Sequence, residues 1–507
     1  MSGFLADAGL LVAAGACAAS ILLPPGRPRS LAMLLAIGLF PVLIVGDQWH
    51  TEQIVDLRQD EARIVALVAI AALAVGVLVQ LFRRWPFLLP LAIVVALPFR
   101  VPLHAGGDTA NLLVPLYLVI AAAVIATLLR DWTAPRVVHA ARPLAWLLAA
   151  AVVLYALQTL YSEDFSKGLQ NVCFFLVPFT VAYRLLREVE WDRRLLTLLL
   201  WVVGIEAAMF VLIGSAEYLT RSLFWNDQVI RSNEFHTYFR VNSVFWDPNV
   251  YGRYLALVAV IAMAALLWVR ERRDFALLTV LVAVLWVGLA QTFSQSSYVA
   301  LLAGLAVLAA IRWSWRWTLA AVVVGTVAAA LVVTFVGGSG GDLSRIWDRI
   351  NIDTSGRANL VSGGVDLFAE RPVQGYGSGS FQDAYRDHRE NKDVPVSISH
   401  TEPVTVAAEQ GLIGLIIYVA LIVVALWTLA AGIRGPTTAE GESENGASLP
   451  RPQDSPSAVA RAAVLAAFVA LLVHTIAYAG FFNDPITWVL LAIGVSLAYP
   501  AAVRDPA

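Results

Sequence analysis

Residues 62–83 read ARIVALVAIAALAVGVLVQLFR, an apolar run in which Arg63, Gln80 and Arg83 are the only polar residues. About 20 apolar residues are enough for a helix to cross the hydrocarbon core of a bilayer. Similar blocks recur along the 507 residues of the chain, which is 59% hydrophobic and 14% charged, with a mean hydropathy of +0.72. Soluble domains contain about 25% charged residues. The composition therefore predicts a polytopic integral membrane protein.

The apolar blocks predict about fifteen spans, and we expect helices because lipid offers no partner to a free backbone polar group. The blocks cover residues 8–24, 29–46, 62–83, 86–102, 110–129, 142–161, 168–186, 194–215, 248–269, 275–293, 296–312, 317–336, 403–432, 461–480 and 485–500. The shortest blocks are also compatible with re-entrant segments. The expected fold class is an all-α polytopic bundle of about 12–15 transmembrane helices, with a large extracytoplasmic loop that carries short helices.

The connections between these blocks alternate in charge, which predicts their sidedness. The arginine-rich connections are 25–29, 83–84, 130–142, 184–194, 270–273 and 312–316. The neutral or acidic connections are 47–61, 103–109, 162–167 and 294–295. Because basic loops stay on the cytoplasmic side, we place the N-terminus outside and the C-terminus inside.

Four segments follow from this layout. Residues 1–215 form the N-terminal helices, and residues 216–336 hold the first long outer loop and the central helices. Residues 337–402 form a large extracytoplasmic loop domain. Residues 403–507 form the C-terminal helices, and they include a polar, Gly-, Ser- and Glu-rich stretch at 434–460 that we interpret as a disordered cytoplasmic linker.

His400 ends the longest polar interval and precedes an apolar helix, so we expect it at the outer water–lipid boundary. A histidine titrates near neutral pH and can act as a general base, although a lone interfacial histidine can also serve only as an anchor. Thr401 is a plausible N-cap, and the positive end of its helix would favour a phosphate near His400. Gly411 and Gly414 would let a neighbour pack closely against this helix. Glu409, two turns into it, orients a partner arginine or serves the structure alone.

The loop at 216–247 is basic although it is predicted to lie outside, since it carries Arg221, Arg231 and Arg240. Asp247 as N-cap and Pro248 at the first helical position would hold Arg240 close to a helix start. A guanidinium matches phosphate oxygens bidentately at any pH. The alternative for each arginine is a lipid headgroup contact or a structural salt bridge.

The second long outer loop has two recognisable parts. Residues 357–370 show near-helical apolar spacing, which predicts an amphipathic helix on the outer face. Residues 375–381, GYGSGSF, predict a glycine turn in which backbone can approach a ligand closely. Arg357 and Tyr376 are candidate substrate contacts in these two parts. The turn lacks the lysine of a nucleotide-binding loop.

With these motifs, the chain resembles the superfamily of O-antigen ligases and O-antigen polymerases. His400, Thr401, Gly411 and Gly414 match the family pattern of a histidine, a small polar residue, nine residues and Gly-x-x-Gly. Thr401 departs mildly from it, because the family has Asn, Ser or Gln there.

Three further elements extend this resemblance over about residues 235–430. Arg240 precedes a Phe-x-x-Pro-Asn element that ends at Asn249. The stretch 355–381 resembles the family's Ser-Gly-Arg, proline and Gly-x-Gly-x-Gly-x-Phe series. The family's Thr-x-Ser-Arg element corresponds to 292–295, but Gln295 stands in place of the arginine that is thought to bind the donor pyrophosphate.

The resemblance implies a membrane glycosyltransferase of the bacterial cytoplasmic (inner) membrane, with its active site on the periplasmic face. The donor would be a glycan on undecaprenyl or a related polyprenyl diphosphate, and the acceptor a hydroxyl of a glycan or lipid-linked sugar. The reaction would be metal-independent, invert the anomeric carbon and need no cofactor. Membrane lipids are expected partners, and nucleic acids are not.

We assign catalytic roles to His400 as general base and Arg240 as the group that neutralises the departing diphosphate. The candidate substrate-binding residues are Arg357, Asn249, Gln295, Arg231, Glu409 and Tyr376. We expect no metal site, because the acidic residues are scattered and Cys17 and Cys173 both lie in apolar blocks.

Several alternatives stay open on sequence alone. A ligase, a polymerase and a protein O-glycosyltransferase would share this scaffold and differ in the acceptor. A transporter or flippase of lipid-linked glycans would show ionisable residues deep in its spans, and Glu206 and His474 are the candidates. An inactive glycan-binding family member is a third possibility, prompted by Gln295.

Overall fold

The computed structural model describes residues 3–105, 108–131, 143–224, 226–235, 238–331, 357–388, 399–431, 433 and 456–499. This part of the chain is helical apart from one short hairpin. The first helices are α1 (Gly3–Leu22), α2 (Arg27–Asp47), α3 (Glu52–Gln59), α4 (Glu61–Arg84), α5 (Leu88–Ala96), α6 (Val114–Asp131), α7 (Pro143–Thr159), α8 (Phe165–Asn171), α9 (Val177–Leu186) and α10 (Arg193–Thr220). The others are α11 (Asp227–Phe235), α12 (Pro248–Trp268), α13 (Arg272–Thr292), α14 (Gln295–Arg312), α15 (Trp315–Leu331), α16 (Arg357–Glu370), α17 (Phe381–His388), α18 (Glu402–Ala430), α19 (Pro456–Ala477) and α20 (Pro485–Ala498).

The helix lengths confirm the predicted class. Within the described residues, 11 helical segments are long and apolar enough to cross a membrane, and α7, α15 and α20 are shorter apolar helices. Only 6% of the apolar window of α4 is buried, compared with 67% for α12. Since α12, α14 and α19 pack against one another, these three helices form the centre of the bundle and α4 lies at its periphery.

One predicted span is not a single continuous helix. The block at 86–102 forms only the nine-residue helix α5, followed by strand β1 (Val101–Ala105). Strand β1 pairs antiparallel with β2 (Asp108–Leu112), and Val101 lies opposite Leu112. Pro98 explains why the helix stops, because it has no N–H to continue the helical hydrogen bonds.

A second irregularity lies between α8 and α9, where Val172–Leu176 forms a π-helical turn. Pro178 follows two residues later, and its missing N–H leaves the carbonyl of Phe174 without its helical partner. The Tyr117 hydroxyl of α6 donates to that carbonyl at 2.8 Å. A neighbouring helix therefore satisfies the backbone group that the proline exposes.

Helix ends that the charge alternation assigns to the same side of the membrane lie together in the structure. At the predicted inner end, the fully buried Arg29 contacts Glu188 and lies 3.5 Å from Asp131. Arg184 also pairs with Glu188, at 2.9 Å. At the predicted outer end, Ser166 donates to Asp47 at 2.7 Å. Which end faces the cytoplasm stays a prediction.

The polar stretch predicted at 434–460 needs a correction at its end, because α19 already begins at Pro456; residues 434–455 lie outside the described part. In the large outer loop, the predicted helix over 357–370 is confirmed as α16. The remainder of that loop, at 337–356 and 389–398, is also outside the described residues.

Helix α18 is broken at Gly411, where φ is +63° and ψ is −162°. The chain at 372–377 runs along the break. The N–H groups of Tyr376 and Gly377 donate to the carbonyls of Ala408 and Glu409 at 3.1 and 2.8 Å, and Leu412 N–H donates to Pro372 at 2.7 Å. Main-chain hydrogen bonds thus join the outer loop to α18. Gly411 interrupts the helix so that these bonds can form, which is more than the close packing predicted for it.

Replacing Gly411 with alanine should destabilise the protein severely. A Cβ at this position would lie 2.3 Å from the carbonyl oxygen of Val373, and the positive φ disfavours any residue with a side chain. We expect poor yield and a lower melting temperature for Gly411→Ala by thermal unfolding in detergent. Gly325→Ala is a suitable control, since a Cβ there meets nothing within 4 Å; equal melting temperatures for both variants would contradict this assignment.

Candidate functional site

Four outer segments meet at one end of the bundle: 238–247 before α12, the turn at 293–294, residues 399–401 before α18, and 478–484 between α19 and α20. We call the region that they form the outer cluster. Arg240 is fixed within it by three partners. Its Nε donates to the Thr292 carbonyl and its Nη2 donates to Asn249 Oδ1, both at 3.0 Å. Its backbone N–H and C=O bond the side chain of Asn233 at 3.0 and 2.9 Å.

The start of α12 is capped as predicted. The Asp247 carboxylate accepts the N–H groups of Asn249 and Val250 at 2.6 and 3.3 Å, and Pro248 occupies the first helical position. The side chain of Tyr478 also interacts electrostatically with Asp247. Burial, with Asp247 as the next contribution, raises the pKa of Tyr478, so its hydroxyl keeps its proton. The cap therefore connects α12 to the loop after α19.

His400 rests on that same loop. Its ring centroid lies 5.9 Å from that of Tyr478, and its carbonyl accepts the Ala479 N–H at 3.1 Å. Two residues later, the Glu402 carboxylate accepts the Gly480 N–H at 2.7 Å. Thr401 is the N-cap residue of α18, as predicted, although its side chain makes no capping bond.

The outer cluster thus contains both residues to which we assigned catalysis. Asn249 binds the guanidinium of Arg240 and contacts Asp247, which interacts electrostatically with Tyr478. Tyr478 in turn lies against His400. The two side chains, 160 positions apart in sequence, lie at one end of the bundle and share a chain of contacts.

Three corners of the outer cluster hold strained backbone. Ser243, Phe293 and His400 have φ values of 51, 49 and 63°, in the left-handed region that costs an L-residue about 1–2 kcal/mol. Ser243 is held there by the Glu217 carboxylate, which accepts its N–H at 2.7 Å, and by its own hydroxyl bond to Phe210 at 2.8 Å. Strain of this kind persists only where the surroundings enforce it, and it concentrates at functional sites.

The other predicted substrate-binding residues differ in position. Gln295 is the first residue of α14 and is exposed next to Ser294, whose hydroxyl donates to Asn249 at 2.9 Å. Arg231 is exposed on α11. Arg357 begins α16, and its side chain lies outside the described residues. Asn249 and Gln295 thus border the outer cluster.

Glu409 has a structural contact. Its buried carboxylate accepts the N–H groups of Gly379 and Phe381 at 2.9 and 3.2 Å, at the start of α17. The glycine turn at 375–381 is confirmed, because Gly375, Gly377 and Gly379 all have positive φ. However, these glycines approach the protein itself: a Cβ on Gly375 or Gly377 would lie 2.3 Å from backbone atoms of Glu409 or Ser162. Close packing within the chain accounts for their conformation.

Tyr376 is a buried residue of that turn and contacts two charged side chains. Its hydroxyl donates to Glu370, and the guanidinium carbon of Arg371 lies 4.0 Å from its ring centre. Burial and the bond to Glu370 raise the pKa of Tyr376 to about 12. The phenol therefore stays protonated and can donate a hydrogen bond at any physiological pH.

Sequence reasoning missed two arginines. Arg253 is 4% exposed on α12, one turn below Asn249, and forms an ion pair with Asp484 at 2.8 Å. Arg100, which is half-buried after α5, interacts electrostatically with both Asp484 and Arg253. Each arginine is the only charged residue within its predicted apolar block, which is 248–269 for Arg253 and 86–102 for Arg100. A lone charge inside such a block indicates a functional role, and this signal could have drawn attention to both residues.

The two residues that would indicate transport have partners within the bundle. Tyr254 donates to Glu206 at 2.8 Å, and His474 Nε2 lies 3.2 and 3.3 Å from the hydroxyls of Ser296 and Ser297. These contacts fit packed polar residues that stabilise helix pairs. Within the described residues, no group of three His, Cys, Asp or Glu side chains is placed to hold a metal ion, and the metal-free reaction stays a prediction.

Comparison with known proteins bears on the segment that contains His400. No curated protein matches the chain. Residues 280–419 match the protein-family model described as O-antigen ligase. This stretch begins in α13, ends in α18 and includes the whole histidine–glycine motif, and it supports a membrane glycosyltransferase of the O-antigen ligase type. The predicted resemblance to the O-antigen ligase superfamily is therefore confirmed over residues 280–419.

Proposed function

We propose that this protein transfers a glycan from a polyprenyl diphosphate carrier to an acceptor hydroxyl at the outer face of the bacterial cytoplasmic membrane. One observation carries the proposal: a histidine that can accept a proton and an arginine that can bind phosphate share the outer cluster through Asp247 and Tyr478. The family match, which includes His400, supports the same reaction class.

The proposed step is a single displacement at the anomeric carbon. His400 accepts the proton of the acceptor hydroxyl, and the resulting oxygen nucleophile forms the new glycosidic bond from the face opposite the carrier. The bond between the anomeric carbon and the diphosphate oxygen breaks, and its electron pair leaves with the polyprenyl diphosphate. The configuration is inverted, and the proton on His400 is then released to water. General-base catalysis of this kind contributes about 10²–10⁴-fold.

Arg240 stabilises the negative charge that grows on the leaving diphosphate. Its contacts with Thr292 and Asn249 fix the guanidinium before the substrate arrives, so no reorganisation is needed during the reaction. Asn249 is therefore a positioning residue in this scheme. Gln295, Arg231 and Arg357 are proposed to contact the donor around the outer cluster, and Tyr376 to contact glycan. Glu409 holds the glycine turn at 375–381.

The acceptor distinguishes ligase from polymerase and from protein O-glycosyltransferase activity, and we favour the ligase type because the family model that matches is that of O-antigen ligases. The direct test incubates purified protein with polyprenyl-diphosphate glycan and three acceptors in turn: a lipid-linked core glycan, a second copy of the donor, and a protein. Product mass identifies the acceptor. Absence of product with all three would overturn the proposal.

Transfer should not respond to chelator, because Arg240 and not a divalent cation neutralises the diphosphate in the proposed step. The measurement is the initial transfer rate with and without EDTA in metal-free buffer. We expect the two rates to agree within about two-fold. Inhibition that a specific metal ion reverses would contradict the metal-free step.

A further inference from the structure

The ion pair between Arg253 and Asp484 uses only part of the hydrogen-bonding capacity of the arginine. A guanidinium carries five N–H donors and no acceptor. Only Nη2 of Arg253 meets the Asp484 carboxylate, at 2.8 Å. Within the described residues, Nε and Nη1 of Arg253 make no hydrogen bond, although the side chain is only 5% exposed. Unsatisfied donors of a buried cation are costly, so this arrangement requires an explanation.

A second arginine lies within electrostatic range of the same carboxylate. Arg100 interacts electrostatically with Asp484, Arg253 and Tyr478, and its Nε also makes no hydrogen bond within the described residues. Asp484 is in turn engaged by the N–H of Ile486 at 2.8 Å. Oδ1 of Asp484 accepts that N–H and Oδ2 lies beside Nη2 of Arg253, so within the described residues Nε and Nη1 of Arg253 and Nε of Arg100 are left without a hydrogen bond.

These donors lie next to the proposed reaction site. The Gly480 backbone, which bonds to Glu402 just after His400, is adjacent to Arg253: a Cβ on Gly480 would lie 3.6 Å from Nη1. Tyr478, whose ring faces His400, interacts electrostatically with Arg253. Arg253 and His400 thus both lie against the loop at 478–480.

The charge that is available elsewhere in the outer cluster is limited. Arg240 commits Nε and Nη2 to Thr292 and Asn249, and Gln295 at the edge of the cluster is uncharged. A diphosphate carries at least two negative charges and several acceptor oxygens, which call for more than one guanidinium. Arg253 and Arg100 provide donors of the required kind.

We propose that Arg253 and Arg100 form a second anion site that binds the diphosphate of the polyprenyl carrier, beside the position of Arg240. This inference rests on the proposed function for the identity of the ligand. It assigns phosphate contacts to residues on α12 and the α5–β1 connection. Asp484 keeps Arg253 oriented through their ion pair.

The test measures binding without transfer. Purified protein in nanodiscs is titrated with undecaprenyl diphosphate, undecaprenyl monophosphate or phosphatidylglycerol as separate probes. We expect the wild-type protein to bind the diphosphate most tightly, because the second phosphate uses the second arginine. Equal affinity for phosphatidylglycerol would show a headgroup site and overturn the assignment.

Two kinds of variant separate ligand binding from folding. Arg253→Gln combined with Asp484→Asn removes both charges of the pair, so that no lone buried charge is left, and Arg100→Gln leaves the pair intact. Each should weaken diphosphate binding about ten-fold or more, which is the loss expected for one charge-assisted contact. Unchanged affinity in a folded Arg100→Gln protein, or in the folded double variant, would overturn the proposal.

The control is the double variant Arg386→Gln with Asp383→Asn, another outer Arg–Asp pair, which is 2.8 Å apart and partly exposed on α17. It should bind like the wild-type protein, and a comparable loss would show that the effect is not specific.

A protein that binds the diphosphate through Arg253 but transfers no glycan would overturn the proposed function and leave this site standing. A wild-type protein that binds none of the probes would overturn both.

Discussion

Replacing His400 with alanine should abolish glycan transfer while the protein remains folded and inserted in the membrane. We expect the rate to fall about 10²–10⁴-fold, the range for loss of a general base. His400 contacts its neighbours through its backbone carbonyl and its ring, and the alanine variant keeps the carbonyl contact with Ala479. The measurement is the initial transfer rate of purified protein, with the melting temperature recorded in the same preparation.

A second substitution separates chemistry from backbone strain. His400→Gly removes the imidazole and also relieves the positive φ of 63°, so it should be at least as stable as the wild-type protein and equally inactive. Added imidazole should restore part of its rate, and this recovery would not occur if His400 were only an anchor. His50→Ala, at an exposed histidine in another predicted outer connection, should behave as wild type. Normal turnover by either folded His400 variant would remove this residue from catalysis.

Arg240→Lys should have the second-largest effect. Lysine keeps the charge, but one ammonium cannot contact the Thr292 carbonyl and Asn249 Oδ1 with the spacing of a planar fork and still present donors to a diphosphate. We expect the transfer rate to fall about 10–100-fold, which corresponds to the loss of one charge-assisted hydrogen bond.

Arg221→Lys is the matched control for this prediction. Arg221 lies in the same predicted outer loop, and its guanidinium carbon is 4.5 Å from the ring centre of Tyr218. A lysine can keep that cation–π contact, so the control should retain the wild-type rate. If Arg240→Lys also retained it, Arg240 would have a structural role only.

The spans of this fold could be predicted from composition because lipid imposes a simple rule on length and polarity. The exception, α5, shows the limit of that rule: the block at 86–102 is apolar enough to cross, but Pro98 ends its helix early. Sequence also predicted the Asp247 cap, since capping depends on adjacent residues alone.

The candidate site was only partly visible in the sequence. The glycines at 375–379 correctly indicated unusual backbone, but a glycine pattern does not say whether a ligand or another part of the chain approaches it. The pair of Arg253 and Asp484 joins residues 231 positions apart, and no local pattern reports a contact of that range. The role of Glu409 depends in the same way on the outer loop returning to α18.

The left-handed corners at Ser243, Phe293 and His400 have a practical consequence for engineering. Because three such residues store conformational energy around the outer cluster, a search for thermostable variants would select glycine or asparagine at these corners first. These substitutions would raise the melting temperature but lower the turnover rate, because stabilising changes at an active site commonly reduce activity. Stabilised forms that keep their function are better sought at the far end of the bundle, around Arg29 and Glu188, where rigidity does not compete with catalysis.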